Sequence, residues 1–408
     1  MKAALSGLME WVDARFPATK FWNDHLAQYY APKNFNFWYF FGALSLVVLV
    51  NQLLTGIWLT MNYHPTAEGA FASVEYIMRD VNYGWLLRYM HSTGASAFFV
   101  VVYLHMFRAL LYGSYKKPRE LVWLMGMGIF LLLMAEAFFG YLLPWGQMSF
   151  WGATVITSLF EAIPVIGGPL TEWIRGDYTV SEVTLNRFFA LHVVAVPLAF
   201  VGLVVLHILA LHEVGSNNPD GVEIKAKKDP NTGRPIDGIP FHPYYTVKDL
   251  WGLAVFLTVF FGVVFFMPEG NGYFLEAPNF LPADPLKTPE HIAPVWYMTP
   301  FYAILRAVPD KLLGVVAMGA AIAVLFVLPW LDRCPVRSIR YRGRVYKVWL
   351  AIFAVSFVSL GYLGANVPTP ERTLAAQIFS VLYFLFFLLM PIYTSFEKTK
   401  PVPERVTK

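Results

Sequence analysis

Eight long apolar runs dominate the sequence and limit what it can fold into. Each is about as long as the roughly twenty residues that a helix needs to cross the ~30 Å hydrocarbon core of a bilayer. Only 14% of the residues are charged, against roughly a quarter in an ordinary soluble domain. The sequence therefore predicts an all-α membrane protein with eight transmembrane helices, near residues 38–60, 90–112, 121–143, 188–211, 250–267, 312–331, 347–364 and 373–393.

The segments between these runs indicate how the chain is organised. The first residues mix charges with tryptophan and phenylalanine, which is typical of a segment at the membrane interface. Eight prolines between residues 268 and 311 indicate an ordered loop that builds a site. We expect an N-terminal interfacial segment (1–36), a four-helix bundle (37–212) that includes outer interfacial helices (144–187), a solvated cytoplasmic loop (213–248), a four-helix C-terminal part (249–396) with an outer loop (268–311), and a cytoplasmic tail (397–408).

Most lysines and arginines of the loops lie on one side of the predicted membrane, in the connections around residues 116–119, 225–248 and 333–347. Because cytoplasmic loops retain positive charge, we place this side and both termini in the cytoplasm. The net charge of +4 thus reflects topology and gives no indication of nucleic-acid binding.

Four histidines lie inside predicted membrane helices, where an ionisable residue is costly and indicates function. His91 and His105 are fourteen residues apart on the second helix, and His192 and His207 are fifteen apart on the fourth. In an α-helix, fourteen residues correspond to about 21 Å along the axis and about 40° around it, and fifteen to about 22 Å and about 60°. Each helix therefore presents two imidazoles on one face, one near each membrane surface.

Two such helices can hold two haem groups stacked across the bilayer, with each iron bound by one histidine from each helix. Two crossings separate the second helix from the fourth, so both run from outside to inside. We therefore expect His91 to pair with His192 near the outer surface, and His105 with His207 near the inner surface. One such histidine could equally be a satisfied polar residue inside the bundle, but four at this spacing favour the haem interpretation.

Glycines on the neighbouring helices support this interpretation, because a flat porphyrin needs helix surface without side chains. Gly42 and Gly56 on the first helix are fourteen residues apart, as are Gly126 and Gly140 on the third. Either pair alone could serve helix packing, since glycine is common in membrane helices. Two pairs with the histidine spacing instead favour two haem sites.

Arg88 and Arg108 each lie three residues from a predicted haem ligand. Their guanidinium groups could neutralise haem propionates near the two membrane surfaces. Alternatively, both side chains simply extend to the polar interface, as long cationic side chains in membrane helices do.

Longer motifs extend over most of the chain, from about Asn36 to about Phe396, and closely resemble the cytochrome b family. They are GWLLRYMH (84–91), GYLLPWGQMSFWGATVIT (140–157), LHEVGSNNP (211–219), FHPYYTVKD (241–249), PVWY (294–297) and YAILR (302–306). All eight crossings lie in one polypeptide, which is similar to the bacterial and mitochondrial form of the family.

This resemblance implies a subunit of a quinol–cytochrome c oxidoreductase that is active only within its complex. It implies a low-potential haem b at His91 and His192 and a high-potential haem b at His105 and His207. Quinol, by default ubiquinol, would be oxidised at an outer site and quinone reduced at an inner site, which contributes to the proton gradient. The implied partners are a Rieske iron–sulfur protein, a membrane-anchored c-type cytochrome and a second copy of the complex, in a bacterial inner membrane.

The resemblance also assigns residues to both quinone sites. The outer pocket is expected to use Phe138, Tyr141, Gly152, Pro294, Trp296, Tyr297 and Tyr302. The inner pocket is expected to use His212, Ser216, Lys248 and Asp249. An imidazole beside a carboxylate can supply the protons that quinone reduction needs. At the ends of helices, however, a solvated histidine or aspartate is the commoner finding.

The motif at the outer site departs from the family pattern. Where the family usually has Pro-Glu-Trp-Tyr, this chain has Val295, which cannot bind or deprotonate quinol. Glu136 lies one helical turn before Gly140 on the same face of the third helix. We hypothesise that Glu136 points into the outer pocket and replaces the missing acid. The alternative is a buried, protonated glutamate bonded to a neighbouring helix.

The fifteen-residue spacing between His192 and His207 is a second departure, because mitochondrial relatives have fourteen. Pro197 lies between the two histidines and can kink the helix. One additional residue therefore need not spoil the ligand geometry.

Two other classes of membrane protein fit parts of the sequence. A secondary transporter could use buried histidine and glutamate as a proton relay, but it predicts inverted repeats that the sequence lacks. A small di-haem anchor of a hydrogenase or formate dehydrogenase would explain the histidines, but not the proline-rich loop with its PVWY motif. The pattern therefore favours the cytochrome b interpretation.

Overall fold

The structure is a computed structural model and describes residues 2–407. Within these residues, eight helices are long and apolar enough to cross a membrane, which confirms the predicted architecture. They are Phe37–Thr60, Gly84–Tyr112, Glu120–Leu142, Glu182–Val214, Phe241–Phe266, Lys311–Leu331, Arg344–Ala365 and Pro370–Leu388.

The secondary structure is almost entirely helical. In chain order the α-helices are α1 (Lys2–Asp13), α2 (Ala18–Trp22), α3 (Phe40–Thr60), α4 (Gly69–Arg79), α5 (Gly84–Tyr112), α6 (Glu120–Leu142), α7 (Gln147–Ser158), α8 (Gly167–Arg175), α9 (Glu182–Ala190), α10 (Val196–Val214), α11 (Phe241–Phe266), α12 (Thr299–Ala307), α13 (Lys311–Leu331), α14 (Arg344–Ala365), α15 (Pro370–Leu388) and α16 (Met390–Tyr393). Two short antiparallel strands, β1 (Tyr30–Pro32) and β2 (Gly238–Pro240), join the N-terminal segment to the chain before α11.

The spanning helices form two packed groups. In the first, α3 packs against α5 and α6 against α10; in the second, the spanning helices α13, α14 and α15 pack against the short helix α12. These helices are apolar on nearly all sides, as expected where one face meets other helices and the rest meets lipid. The largest apolar cluster joins the groups, because Phe99 and Phe130 of the first pack with Phe301 and Phe353 of the second.

The fourth spanning helix is not a continuous α-helix. A π-helical turn (Leu191–Ala195) joins α9 to α10 and contains His192, just before Pro197. A π-turn carries one residue more than an α-turn, and proline has no N–H for the ordinary helical bond. This turn therefore accommodates the additional residue between His192 and His207.

The two long loops at one end of the bundle are hydrogen-bonded to each other. The backbone N–H of Gln147 donates to the Leu281 carbonyl (3.0 Å), and the backbone N–H of Ala283 donates to the Trp145 carbonyl (3.0 Å). We call this the outer end, and the opposite end the inner end. Because of these bonds, residues near 145 and 280 form a single ordered layer over the outer end of the bundle.

At the inner end, the structure differs from the solvated loop expected at 213–248. Asn217, Asn218, Asp220 and Asp237 are buried in this segment. The fifth spanning helix also begins at Phe241, earlier than the predicted boundary at 249. Polar side chains in a long connection look solvated in sequence, but Asp220 and Asp237 are buried because distant segments bond to them: Thr407 donates to Asp220, and Arg405 to Asp237.

Candidate functional site

A large cavity opens between α3, α5, α6 and the start of the fourth spanning helix, and His91 and His192 both line it. It encloses about 1660 Å³ of space that no protein atom fills, part of it open to the surroundings. The two imidazole rings are nearly perpendicular, at 88°, and their centroids are 6.2 Å apart. Metal–imidazole bonds are about 2 Å long, so one metal ion between two imidazoles separates the ring centroids by about 6 Å.

Hydrogen bonds orient both imidazoles. The Nδ1 atom of His91 lies 2.9 Å from the Thr55 hydroxyl, and the Nδ1 atom of His192 lies 2.9 Å from the Glu136 backbone carbonyl. When Nδ1 bonds to an oxygen, Nε2 becomes the atom available to a metal. Both rings are therefore arranged to present Nε2 as a ligand.

Two of the predicted glycines face these two histidines. A Cβ atom added to Gly56 would come within 3.3 Å of the His91 ring, and one added to Gly140 within 2.5 Å of the His192 ring. The second distance is shorter than real Cβ contacts allow. Both positions therefore lack a side chain where an imidazole ring approaches the helix, which allows the ring and a porphyrin bound to it to pack close to the backbone.

The other two glycines face the other two histidines. A Cβ atom added to Gly42 would lie 3.2 Å from the His105 ring, and one added to Gly126 would lie 3.3 Å from the His207 ring. The Nδ1 atom of His105 is buried and has no hydrogen-bond partner among residues 2–407. The inner end thus repeats the glycine–histidine arrangement of the outer end.

The two arginines occupy different surroundings. Arg88 lines the outer cavity together with His91. Arg108 donates a hydrogen bond to the Asn217 carbonyl (2.9 Å), at the start of the connection that follows α10. The role of these two arginines in binding haem propionates remains a prediction.

Only some of the predicted outer-pocket residues line the cavity: Tyr141 and Tyr297 do, together with Val295. Tyr297 stacks on Phe99 with ring centroids 3.8 Å apart. Burial raises the pKa of Tyr297, and so does the nearby Glu276 carboxyl. This phenol therefore stays protonated at neutral pH.

The other predicted outer-pocket residues do not line the cavity. The Trp296 indole donates to the Ser96 hydroxyl (3.1 Å), and the Tyr302 hydroxyl donates to the Ile292 carbonyl (3.4 Å). Phe138 packs against Phe188, Gly152 lies beside the Tyr141 ring, and Pro294 is half-buried just before Val295.

Glu136 also lines the outer cavity. Its Oε1 atom lies 3.0 Å from Nδ1 of His192, whereas Oε2 is buried without a hydrogen-bond partner among residues 2–407. The carboxyl thus contacts a residue of a neighbouring helix, which was the alternative to a role in quinol oxidation. That role remains a prediction.

Sequence reasoning missed a second acid at the outer end. The Tyr141 hydroxyl donates a 2.5 Å hydrogen bond to Oε2 of Glu276. Burial raises the pKa of Glu276 despite this hydrogen bond. A loop residue 135 positions from its partner carries no periodic signal that could have revealed this contact.

At the inner end, His212 and Ser216 meet at a residue that sequence reasoning did not assign to the site. The Tyr29 ring stacks on His212 with centroids 4.5 Å apart, and its hydroxyl lies 2.9 Å from the Ser216 hydroxyl. Burial raises the pKa of Tyr29. Lys225 donates to the His212 carbonyl (2.7 Å).

The other two predicted inner residues lie on α11. The Lys248 ammonium lies 4.9 Å from the centroid of the Tyr245 ring, and Asp249 lines a small apolar groove between α3 and α11. Phe241 connects the two halves of the predicted site, because its ring packs against both Tyr29 and Tyr245. The structure thus arranges the four predicted residues around one aromatic cluster.

Comparisons with known proteins show what this chain is similar to. The family model described as cytochrome b/b6/petB matches residues 26–215, and the model described as cytochrome b(C-terminal)/b6/petD matches residues 282–384. A cytochrome b of Allochromatium vinosum is 62% identical over the whole of both chains. A cytochrome b of Rhodospirillum rubrum is 51% identical, over 98% of this chain and 96% of its own.

A solved structure of a hyperthermophilic respiratory Complex III also matches, with a TM-score of 0.87 and 39% identity. The match covers 95% of this chain and 98% of the other. The same family is therefore indicated by two family models, by relatives matched over their whole length and by the eight spanning helices. The chain belongs to the cytochrome b family, the haem-b-binding integral membrane subunits of bc1-type respiratory complexes.

Proposed function

We propose that this chain binds two haems b, a low-potential haem between His91 and His192 and a high-potential haem between His105 and His207. The observation that carries this proposal is the pairing of four glycines with four imidazoles, each ring lying where a side chain at the glycine would contact it. Bound there, the haems would carry single electrons along the axis of the bundle. The arginines at positions 88 and 108 would face the propionates.

The outer cavity would bind quinol in the space that extends from Tyr141 towards Val295 and Tyr297. Oxidation would send one electron to a Rieske iron–sulfur partner and the other inward along the bundle. A membrane-anchored c-type cytochrome would receive electrons from the Rieske protein. Ubiquinol is the expected substrate. The protons released at the outer site and the electron transferred inward would both contribute to the proton gradient.

At the inner end, quinone reduction needs residues that bind the ring and donate protons. Tyr29 holds His212 by stacking and Ser216 by a hydroxyl contact, so these three side chains form one wall. Lys248 and Asp249 would form the other wall. A buried tyrosine with a raised pKa remains protonated and can donate a hydrogen bond to a quinone carbonyl.

The distribution of lysine and arginine indicates the orientation of the protein in the membrane. With the inner end in the cytoplasm, the basic residues of all three connections lie on the cytoplasmic side of a bacterial inner membrane, together with both termini. The complex is expected to be a homodimer.

The test is a redox titration of the visible spectrum of the purified complex, with His91→Ala and His105→Ala in separate variants. We expect two b-type haems with distinct potentials in the wild type, and the loss or disruption of a different one in each variant. Two unchanged haems in either variant would refute the ligand assignment, and a protein without haem would refute the proposal as a whole.

A further inference from the structure

The outer cavity lacks an acid at position 295, yet quinol oxidation has to release two protons there. Within residues 2–407, two glutamates lie beside this part of the cavity, Glu136 and Glu276. They differ in their partners. Glu136 contacts a proposed haem ligand through both its carboxyl and its backbone carbonyl, whereas Glu276 bonds to Tyr141, a residue of the proposed quinol pocket.

The position of Glu276 is fixed by the loop around it. The residues just before it, Phe274 and Leu275, line the cavity. Its backbone carbonyl accepts a hydrogen bond from the Asn279 amide (2.9 Å), and the Asn279 side chain accepts two more from Ser149 (2.9 and 3.1 Å). Glu276 therefore sits on an ordered layer of the outer end.

The carboxyl group also lies between the cavity and water. Glu276 is half-buried, and the residues that follow it, Ala277 and Pro278, are exposed. Tyr141 holds the carboxyl from the cavity side through a single hydrogen bond. A proton received there would thus have a short path to the aqueous phase outside the membrane.

We propose that Glu276 is the proton acceptor for quinol at the outer site and that Tyr141 positions its carboxylate. This inference rests on the proposed function. One proton and one electron of quinol leave towards the iron–sulfur partner. As the second electron leaves inward, the remaining O–H bond of the quinol breaks and its proton forms an O–H bond on Glu276, which then releases it to the outer aqueous phase.

The surroundings of Glu276 suit this role. Burial raises its pKa above that of an exposed glutamate, which brings the pKa closer to neutral pH, where a general base works best. The Tyr141 hydroxyl donates to the carboxylate and stabilises it between turnovers. Glu276 comes from a different segment than residue 295; its neighbour Leu275 lines the cavity together with Val295, and Tyr141 connects the carboxyl to the cavity.

The experiment measures quinol-driven reduction of the haems in a single turnover, in the intact purified complex with the inner site blocked. Glu276→Gln keeps the size and a hydrogen-bonding group but cannot accept the proton. We expect it to slow quinol oxidation by about 100-fold or more, as the loss of a general base does. Glu172→Gln, which removes an exposed carboxylate from the same outer end, is the matched control and should keep the wild-type rate.

A rescue variant sharpens the test. Adding Val295→Glu to Glu276→Gln restores an acid to the same cavity wall, and we expect it to recover at least about tenfold of the lost rate. Tyr141→Phe keeps the acid but frees it from its hydrogen bond, and should slow the reaction by about tenfold. In every variant, both haem spectra and quinone reduction at the inner site should remain unchanged, which shows that the protein has folded.

Several outcomes would overturn the inference. One is a rate of quinol oxidation within about threefold of the wild type in Glu276→Gln. If that variant does not assemble, the same result in Tyr141→Phe counts instead. Another is a loss of this rate that is confined to Glu136→Gln. These outcomes leave the proposed function intact. A wild-type complex that contains both haems but does not oxidise quinol would instead refute the proposed function itself.

Discussion

The outer and inner ends of the bundle hold the same unit, two histidines facing two glycines, in different surroundings. At the outer end, both imidazoles have Nδ1 partners within the bundle, Thr55 and the Glu136 carbonyl, and a large cavity extends from them towards the loops. At the inner end, Nδ1 of His105 is buried without a partner among the described residues. The two outer imidazoles are thus oriented by hydrogen bonds to residues of the membrane helices.

The quinone-site residues show the same contrast. The outer candidates come from α6, from α7 and from residues 294–302, and Tyr141 of α6 is hydrogen-bonded to the loop residue Glu276. The inner candidates depend on the N-terminal segment, since Tyr29 joins His212 to Ser216 and β1 pairs with β2. The outer site is therefore built by spanning helices and the long outer loops, whereas the inner site is closed by the N-terminal segment. Substitutions at the two ends should consequently have different effects.

Gly140→Ala should have the largest effect, because its new Cβ would lie 2.5 Å from the His192 ring, against 3.3 Å from the His207 ring for Gly126→Ala. The backbone cannot absorb the closer contact without moving His192. We expect Gly140→Ala to lose the outer haem and Gly126→Ala to retain the inner one. Visible spectra of the two purified variants measure this difference, and equal haem retention would contradict it.

Thr55→Val should have the next largest effect, since it removes the oxygen that faces Nδ1 of His91. Loss of such an orienting partner typically lowers metal-site affinity or activity by about 10–100-fold. We expect weaker retention of the outer haem and a shift of its midpoint potential alone. Redox titration checks this, and a shift of the inner haem's potential instead would argue against separate support of the two ends.

Asp237→Asn should loosen the closure of the inner end. Burial alone would raise the pKa of Asp237, but hydrogen bonds from Arg405 and Lys33 lower it to about 2. Its stabilising effect is therefore complete above the ordinary carboxyl pKa and is lost as the pH falls from about 4 towards 2. At neutral pH, we expect roughly tenfold faster proteolysis of the inner loop in the variant. Unchanged proteolysis would show that strand pairing alone closes this end.

Tyr29→Phe should have the smallest effect, because it keeps the ring on His212 and removes only the hydroxyl contact with Ser216. A lost hydrogen bond of about 1 kcal/mol corresponds to roughly a fivefold change. We expect quinone reduction at the inner site to slow by about that factor, with quinol oxidation at the outer site unchanged. The two half-reactions, measured separately in one preparation, decide this, and equal slowing of both would count against a local role.

Much of the architecture could be predicted from local patterns. The eight spans follow from apolar runs of the length that a bilayer requires, and the spacing of His91 and His105 follows from helical periodicity. The π-turn at residues 191–195 could not be predicted, because it depends on bonds that Pro197 and the neighbouring helices leave available. The burial of Asp220 and Asp237 was also missed, since their partners Thr407 and Arg405 lie near the C-terminus.

The sequence by itself determined which residues can act: four membrane histidines, four glycines at matching intervals, and a valine where the family has an acid. Each of these follows from short-range spacing or from a single position. Only the tertiary structure decided which side chains meet, such as Glu276 with Tyr141 and Tyr29 with His212. The reason is physical: periodicity fixes the face of a helix, whereas contacts between distant segments depend on how whole loops pack and bond to one another.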